Sequence, residues 1–283
     1  MNTDTSAAAR THPRTYLFVP GNRPDRFSKA FEAGADAVII DLEDAVAPEQ
    51  KDAARAALAS WCGAAHPYPA RPVVRINDDA SPWFAADLAL LRTLGPCDVM
   101  LPKAESAQQL DRVAAALAPG TTIIALIESA RGLLEVDAIA RAAGVRRLAF
   151  GTLDYALDLG LSGDARGLLY PASRIALASR AAGLAPPVAG ITAAIDDEAA
   201  LRDDVDQARA CGFGAKLCIH PRQIAIVHAM LAPTPAQCDW AERVLAAAAS
   251  SSGAVQVDGK MVDRPVLLRA RAILDHQSAS RTP

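Results

Sequence analysis

TYLFVPGNRPDRFSKAFEAGADAVIIDL, residues 15–42, holds one strand–turn–helix–strand unit. A run of β-branched and aromatic side chains (15–20) leads into a Pro/Gly/Asn turn. An Ala/Phe/Lys stretch of helical period follows, then a second apolar run, AVIIDL (37–42). Short apolar runs without polar alternation suit strands covered on both faces, as in parallel sheets. The turn itself, VPGNRPDRF, lacks the GxGxxG pattern with which a doubly wound nucleotide-binding sheet often begins.

The same unit recurs along the chain. After 15–20 and 37–42, strand-like runs fall at 72–77, 98–103, 122–129, 147–153, 186–191 and 214–220. Between them lie amphipathic segments such as PEQKDAARAALASW and SAQQLDRVAAAL. Pro24, Pro48, Pro82 and Pro221 suit first helical turns, and Ser81 and Ser106 suit caps. Eight strand-plus-helix units within residues 14–250 predict an α/β fold, a closed (β/α)8 TIM barrel. An open, doubly wound sheet is the competing arrangement. Residues 1–13 read as a tail, and 251–283 as a C-terminal lid or oligomerisation extension. The connection 158–173 is unusually long, a feature often tied to function.

Composition narrows the function. The chain has 283 residues, 5% aromatics and a formal charge of −3, with no basic surplus for nucleic acid or anionic membrane. No apolar stretch is long enough to span a bilayer, and the start lacks the apolar middle of a secretory signal. The five cysteines form no CxxC pair, which fits a reduced, cytoplasmic protein and disfavours a cysteine zinc site.

Barrel enzymes place their chemistry at the C-terminal ends of the strands. Those ends carry Asp41, Glu43 and Asp44, then Arg75 and Asn77, Lys103, Glu128 and Ser129, Gly151, Thr152 and Asp154, and His220. Glu128 and Asp154 end neighbouring strands, and paired carboxylates suit a hard cation such as Mg2+. Arg75 can grip a carboxylate or pair with Glu43 or Asp44. Lys103 as a Schiff-base lysine and His220 as a proton shuttle are weaker readings, and Cys211 and Cys218 read as core. Arg23, Arg26 and Lys29 are cations at the first loop and helix, suited to the phosphates of a ligand.

Taken in order, RTYLFVPGNRPDRFSKAFEAGADAVIIDLEDAVAPEQKDAAR, VVRIN, VMLPKAES, ALIESARGLL, LAFGTLDYALDLG, AKLCIHPRQI and DGKMVDRPVLLRARAIL resemble the citrate lyase β-subunit-like proteins of the HpcH/HpaI aldolase superfamily. The resemblance spans residues 14–276. It implies Mg2+ on Glu128 and Asp154, with Glu43 and Asp44 holding its waters and Arg75. It also implies a substrate carboxylate held by Arg75 with backbone amides at Gly151 and Thr152, and a thioester of coenzyme A or of an acyl carrier protein. Asp263 matches an acid on a C-terminal lid that serves a neighbouring subunit, so a homo-oligomer (trimer or hexamer) is implied. Many members read GAEDY where this chain reads GTLDY, so Leu153 replaces an acid. The expected activity is Mg2+-dependent carbon–carbon cleavage of a 3-hydroxy-3-carboxyacyl thioester of the citramalyl, malyl or citryl type. Thioester hydrolysis at the same site and a noncatalytic carrier-binding subunit are the alternatives.

Overall fold

The computed structural model describes residues 12–64, 71–250 and 255–281. The expected N-terminal tail lies outside the described residues except for His12 and Pro13, and so do residues 251–254 of the expected C-terminal extension. The chain divides into two compact units, Pro13–His228 and a second that contains Ala229–Pro283. The sequence reading put this division at 250/251.

The first unit is a closed parallel barrel with the strands in sequence order. The strands are β1 (Thr15–Pro20), β2 (Ala37–Asp41), β3 (Val73–Arg75), β4 (Asp98–Leu101), β5 (Ile123–Ile127), β6 (Val145–Phe150), β7 (Val188–Ala189) and β8 (Ala215–Cys218). β1 pairs with both β2 and β8, which closes the ring. The helices of this unit are α1 (Phe27–Glu32), α2 (Lys51–Gly63), α3 (Phe84–Leu91), α4 (Ala107–Ala114), α5 (Ala130–Leu134), α6 (Val136–Arg141), α7 (Thr152–Asp158), α8 (Leu169–Ala181) and α9 (Glu198–Ala210). α10 (Arg222–Leu231) follows.

Alternate strand residues fill the barrel interior: Tyr16, Ile39, Val73, Met100, Ile124, Leu126, Ala149, Val188 and Leu217 form one buried cluster. The residues between them, such as Val38, Ile40, Val74, Val99 and Leu101, are equally buried, so both faces of the sheet are covered. Several helices start as their residues dictate. Ser106 and Gln109 form a capping box on α4, and Ser129 caps α5 by accepting from Gly132 N. Ser81, expected to cap a helix, instead accepts from Trp83 N one turn before α3.

Every predicted strand except 15–20 is shorter in the structure, and three of them show how the ends are lost. The run 147–153 ends at Phe150, because Thr152 already begins α7. The run 186–191 pairs only at Val188–Ala189, and 122–129 stops at Ile127 because Ser129 is the cap of α5.

In the second unit, α11 (Pro235–Ala249) and α12 (Arg264–Arg281) pack through Trp240, Ala241, Val244, Leu267 and Ala270. That shared apolar face is why α11 belongs with the C-terminal segment. A hairpin of β9 (Val255–Val257) and β10 (Lys260–Val262) turns at Asp258–Gly259, both with positive φ, as a type I′ hairpin turn requires.

Candidate active site

The barrel's two-residue period sets the site. Ala37 and Ile39 point inward, so Asp41 at the mouth of β2 shares their face. By the same count Arg75 continues the face of Val73, Glu128 that of Ile124 and Leu126, and Gly151 that of Ala149. Register makes Asp41 and Arg75 direct neighbours on β2 and β3. These side chains line or adjoin a cavity of about 330 Å3 at the C-terminal mouth. Phe18, Leu126, Ile191, Leu217 and Ile219 form its apolar wall, and Asp44, Thr152 and Asp154 its polar rim, with the apolar Leu153 between the last two.

Arg75 is the hub. Its Nε and Nη2 donate to the two Asp41 oxygens at 2.7 and 2.6 Å, a bidentate pair. Its Nη1 lies 2.9 Å from Glu43 Oε2 and 3.4 Å from Asp44 Oδ2. The guanidinium stacks 4.8 Å above the Phe18 ring. Burial alone would lower its pKa, but Asp41, Glu43 and Asp44 outweigh that and hold it charged. Breaking such a buried pair by removing one partner typically costs about 3–5 kcal/mol.

Glu128 is buried at the head of β5. Lys103 N donates to its Oε1 at 2.7 Å. To aim that amide, Lys103 adopts φ 46°, a left-handed conformation rare for a side-chain-bearing residue. Lys103 Nζ reaches Glu43 Oε1 at 3.3 Å and Asp78 Oδ2 at 3.7 Å. Burial opposes charge on Lys103, yet Glu43, Asp78 and Glu128 overcome it and raise its pKa, the reverse of what a Schiff-base lysine needs.

The acids outnumber the bases here. Burial pushes the Glu128 carboxyl up to about 8, helped by the charges of Glu43 and Asp154. Burial likewise pushes Glu43 up to about 7, against the pull of Arg75. Glu43 Oε2 is buried without a well-aligned hydrogen bond, though it faces Arg75 as an ion partner. Among the described residues no cluster of three or more His, Cys, Asp or Glu forms a complete metal cage. Glu128 and Asp154 border the same cavity, and that donor set fits Mg2+, which takes few carboxylates and keeps waters or substrate oxygens.

Other predicted residues are placed as follows. Gly151 N is committed to Ile127 O at 2.9 Å, so its amide completes the strand ladder. A Cβ there would sit 2.5 Å from Glu128 Oε2, so Gly151 makes room for Glu128. Thr152 opens α7, whose first amides have no carbonyl four residues back to bond. Leu153 is exposed on the rim. Arg23 pairs with Asp25 at 2.8 Å, while Arg26 and Lys29 are exposed. Asp263 lies in the second unit, where Oδ1 accepts from Val266 N and caps α12. His220 Nδ1 accepts from Arg222 N, a local turn contact.

Two features escaped the sequence reading. Asp41, noted at a strand end, is the principal Arg75 partner, and its phase with Ala37 and Ile39 carried that signal. Asn77 belongs to a buried network beneath the site, accepting from Lys51 Nζ at 2.7 Å and donating to Asp87 at 2.7 Å.

Residues 14–221 match the family model HpcH/HpaI aldolase/citrate lyase. A citrate lyase subunit beta-like protein of Deinococcus radiodurans is 39% identical, covering 94% of this chain and 97% of that one. A (3S)-malyl-CoA thioesterase of Cereibacter sphaeroides is 35% identical, covering 94% of this chain and 95% of its own length. The crystal structure of CitE from Mycobacterium tuberculosis, in complex with magnesium, acetoacetate and coenzyme A, superposes with a TM-score of 0.82 at 38% identity. It covers 95% of this chain and 99% of that one.

Proposed function

Because the chain belongs to the HpcH/HpaI aldolase/citrate lyase family, we infer that it is a Mg2+-dependent carbon–carbon lyase acting on a 3-hydroxy-3-carboxyacyl coenzyme A thioester. The observation that carries this reading is the buried Glu128 carboxyl, anchored by Lys103 N and facing the cavity that Asp154 and Arg75 share. The magnesium and coenzyme A bound to the similar CitE protein support the same choice of ion and thioester.

Glu128 and Asp154 would hold the ion. Bound Mg2+ would acidify the substrate hydroxyl and offset charge on its carboxylate. Arg75, locked by Asp41 and with Nη1 beside Glu43 and Asp44, would offer its remaining Nη2 proton to the substrate carboxylate, aided by the Thr152 amide. Glu43, whose pKa burial pushes up to about 7, and Asp44 are our candidates to take the hydroxyl proton in their carboxylate form. The carbon–carbon bond then breaks, its electrons pass to the thioester α-carbon, and the carbinol carbon becomes the carbonyl of a 2-oxo acid. Asp263, from the C-terminal unit of a neighbouring subunit, is our candidate to protonate that α-carbon. Arg26 and Lys29, exposed beyond β1, are candidates for the coenzyme A phosphates.

The Cereibacter sphaeroides relative supports a second reading, hydrolysis of the thioester at the same site. Incubating the protein with Mg2+ and citramalyl-, malyl- and citryl-CoA, with products followed by mass spectrometry, separates them. A 2-oxo acid plus acetyl-CoA, lost with chelator and in Glu128→Ala, is the expected result. Free hydroxy acid plus CoA would establish the thioesterase. No turnover together with no Mg2+ binding would leave a noncatalytic subunit that binds an acyl carrier protein.

A further inference from the structure

Lys216 is a buried charge that the site above does not use. Ala215 and Leu217 point into the barrel, so the alternation of β8 turns Lys216 outward, beneath α8 and α9. There it lines a second cavity of about 90 Å3. The void exists because β7 is only two residues long and the walls carry small side chains, Ala172, Ala189, Gly190 and Ala208. Ala165, Leu168 and Leu169, from the long connection 158–173, edge it, and Ala165 and Leu169 are exposed.

The lysine is short of partners. Its ammonium has three protons to donate, and among the described residues Gly190 O is the one acceptor hydrogen-bonded to Nζ. Asp204 also lines the cavity, but its Oδ2 is engaged by the Thr192 hydroxyl. Burial draws the Lys216 pKa down to about 8, against the pull of Asp204, as expected for a cation lacking a full set of acceptors.

We propose that this cavity binds a short-chain monocarboxylate, with its carboxylate on Lys216 Nζ and its alkyl chain against Leu168 and Leu169. The volume matches about three waters, or a chain of roughly four to six heavy atoms. A single carboxylate supplies the missing acceptors on Nζ, and the Asp204 charge in the same cavity disfavours a dianion more strongly than a monoanion. The apolar walls reward an alkyl tail. The site is separate from the catalytic cavity, although Thr152 and Ile191 line both.

The test is titration of the full chain with propionate, butyrate and isobutyrate, and with their neutral amides, by ligand-observed NMR and thermal shift. Saturable binding of acids at least tenfold tighter than of amides is expected. Lys216→Met and the cavity-filling Ala172→Leu should each weaken it at least tenfold, and Glu128→Ala should leave it intact. Ala172→Leu keeps every charge, so it carries the test should Lys216→Met misfold. Equal binding of amides, retention of binding in Ala172→Leu, loss in Glu128→Ala, or no saturation at millimolar acid would each overturn the proposal.

Discussion

Replacing Gly151 with alanine should disable the site through Glu128 rather than through the backbone. Gly151 has φ −82° and ψ 81°, a conformation open to any residue. Loss of chain entropy in the unfolded state would by itself make Gly→Ala stabilising by about 0.4–1 kcal/mol. The added methyl, however, would stand 2.5 Å from Glu128 Oε2 and 2.7 Å from Glu128 Cβ, where ordinary contact begins at 3.4 Å. Glu128 must therefore yield by roughly 0.7–0.9 Å, and a rotamer change cannot relieve the Cβ clash. Its Oε1 is also tied to Lys103 N, which resists the shift. A displacement near 1 Å in a catalytic constellation costs about 10²-fold in rate, and overpacking costs about 1–3 kcal/mol of stability. Gly151→Ala should thus lower Mg2+-dependent kcat/KM about 100-fold and weaken Mg2+ about 10–100-fold, measured by product assay and calorimetry. Gly63→Ala, with nothing within 4 Å of its added methyl, is the control. Wild-type Mg2+ affinity and turnover in Gly151→Ala would refute the assignment of Glu128 as the ion's anchor.

Three further outcomes follow from other contacts. Lys103→Gly and Lys103→Ala both lose the Nζ pairs, but only alanine retains the strain of φ 46°, so glycine should be more stable by about 1–2 kcal/mol in urea unfolding. Equal stabilities would remove the strain argument. Asp87 is fully buried and accepts from Asn77 N, Asn77 Nδ2 and Arg55 Nη1, so Asp87→Ala should cost about 3–5 kcal/mol. A loss under about 1 kcal/mol in the same assay contradicts that network's role. Lys216 has a folded pKa of about 8, below its unfolded value, so between pH 8 and 10.5 the unfolded chain binds more protons and stability rises with pH. The unfolding free energy of wild type relative to Lys216→Met should therefore increase by about 3 kcal/mol between pH 7 and 10.5. A flat difference would mean that Lys216 is not desolvated as described.

Much of the architecture was legible in local pattern. The recurring short apolar runs specify eight strands, because a strand buried on both faces needs continuous apolar residues, and the ordered motifs from RTYLFVP to AKLCIHP mark the family. The strand-end residues at the mouth were legible too, since a period of two carries the inward face of Ile39, Val73 and Leu126 on to Asp41, Arg75 and Glu128. Other features came only with barrel closure. Asp41 became the bidentate partner of Arg75 across 34 residues because β2 and β3 meet in that register, where the sequence offered Glu43 and Asp44 as equal candidates. Lys103 entered through its backbone amide, which a list of side chains does not reveal. α11 left the barrel for the C-terminal unit, and the cavity beside Lys216 opened because β7 is short. Periodicity is a property of neighbours along the chain, whereas partner choice and empty space depend on which distant elements are brought side by side.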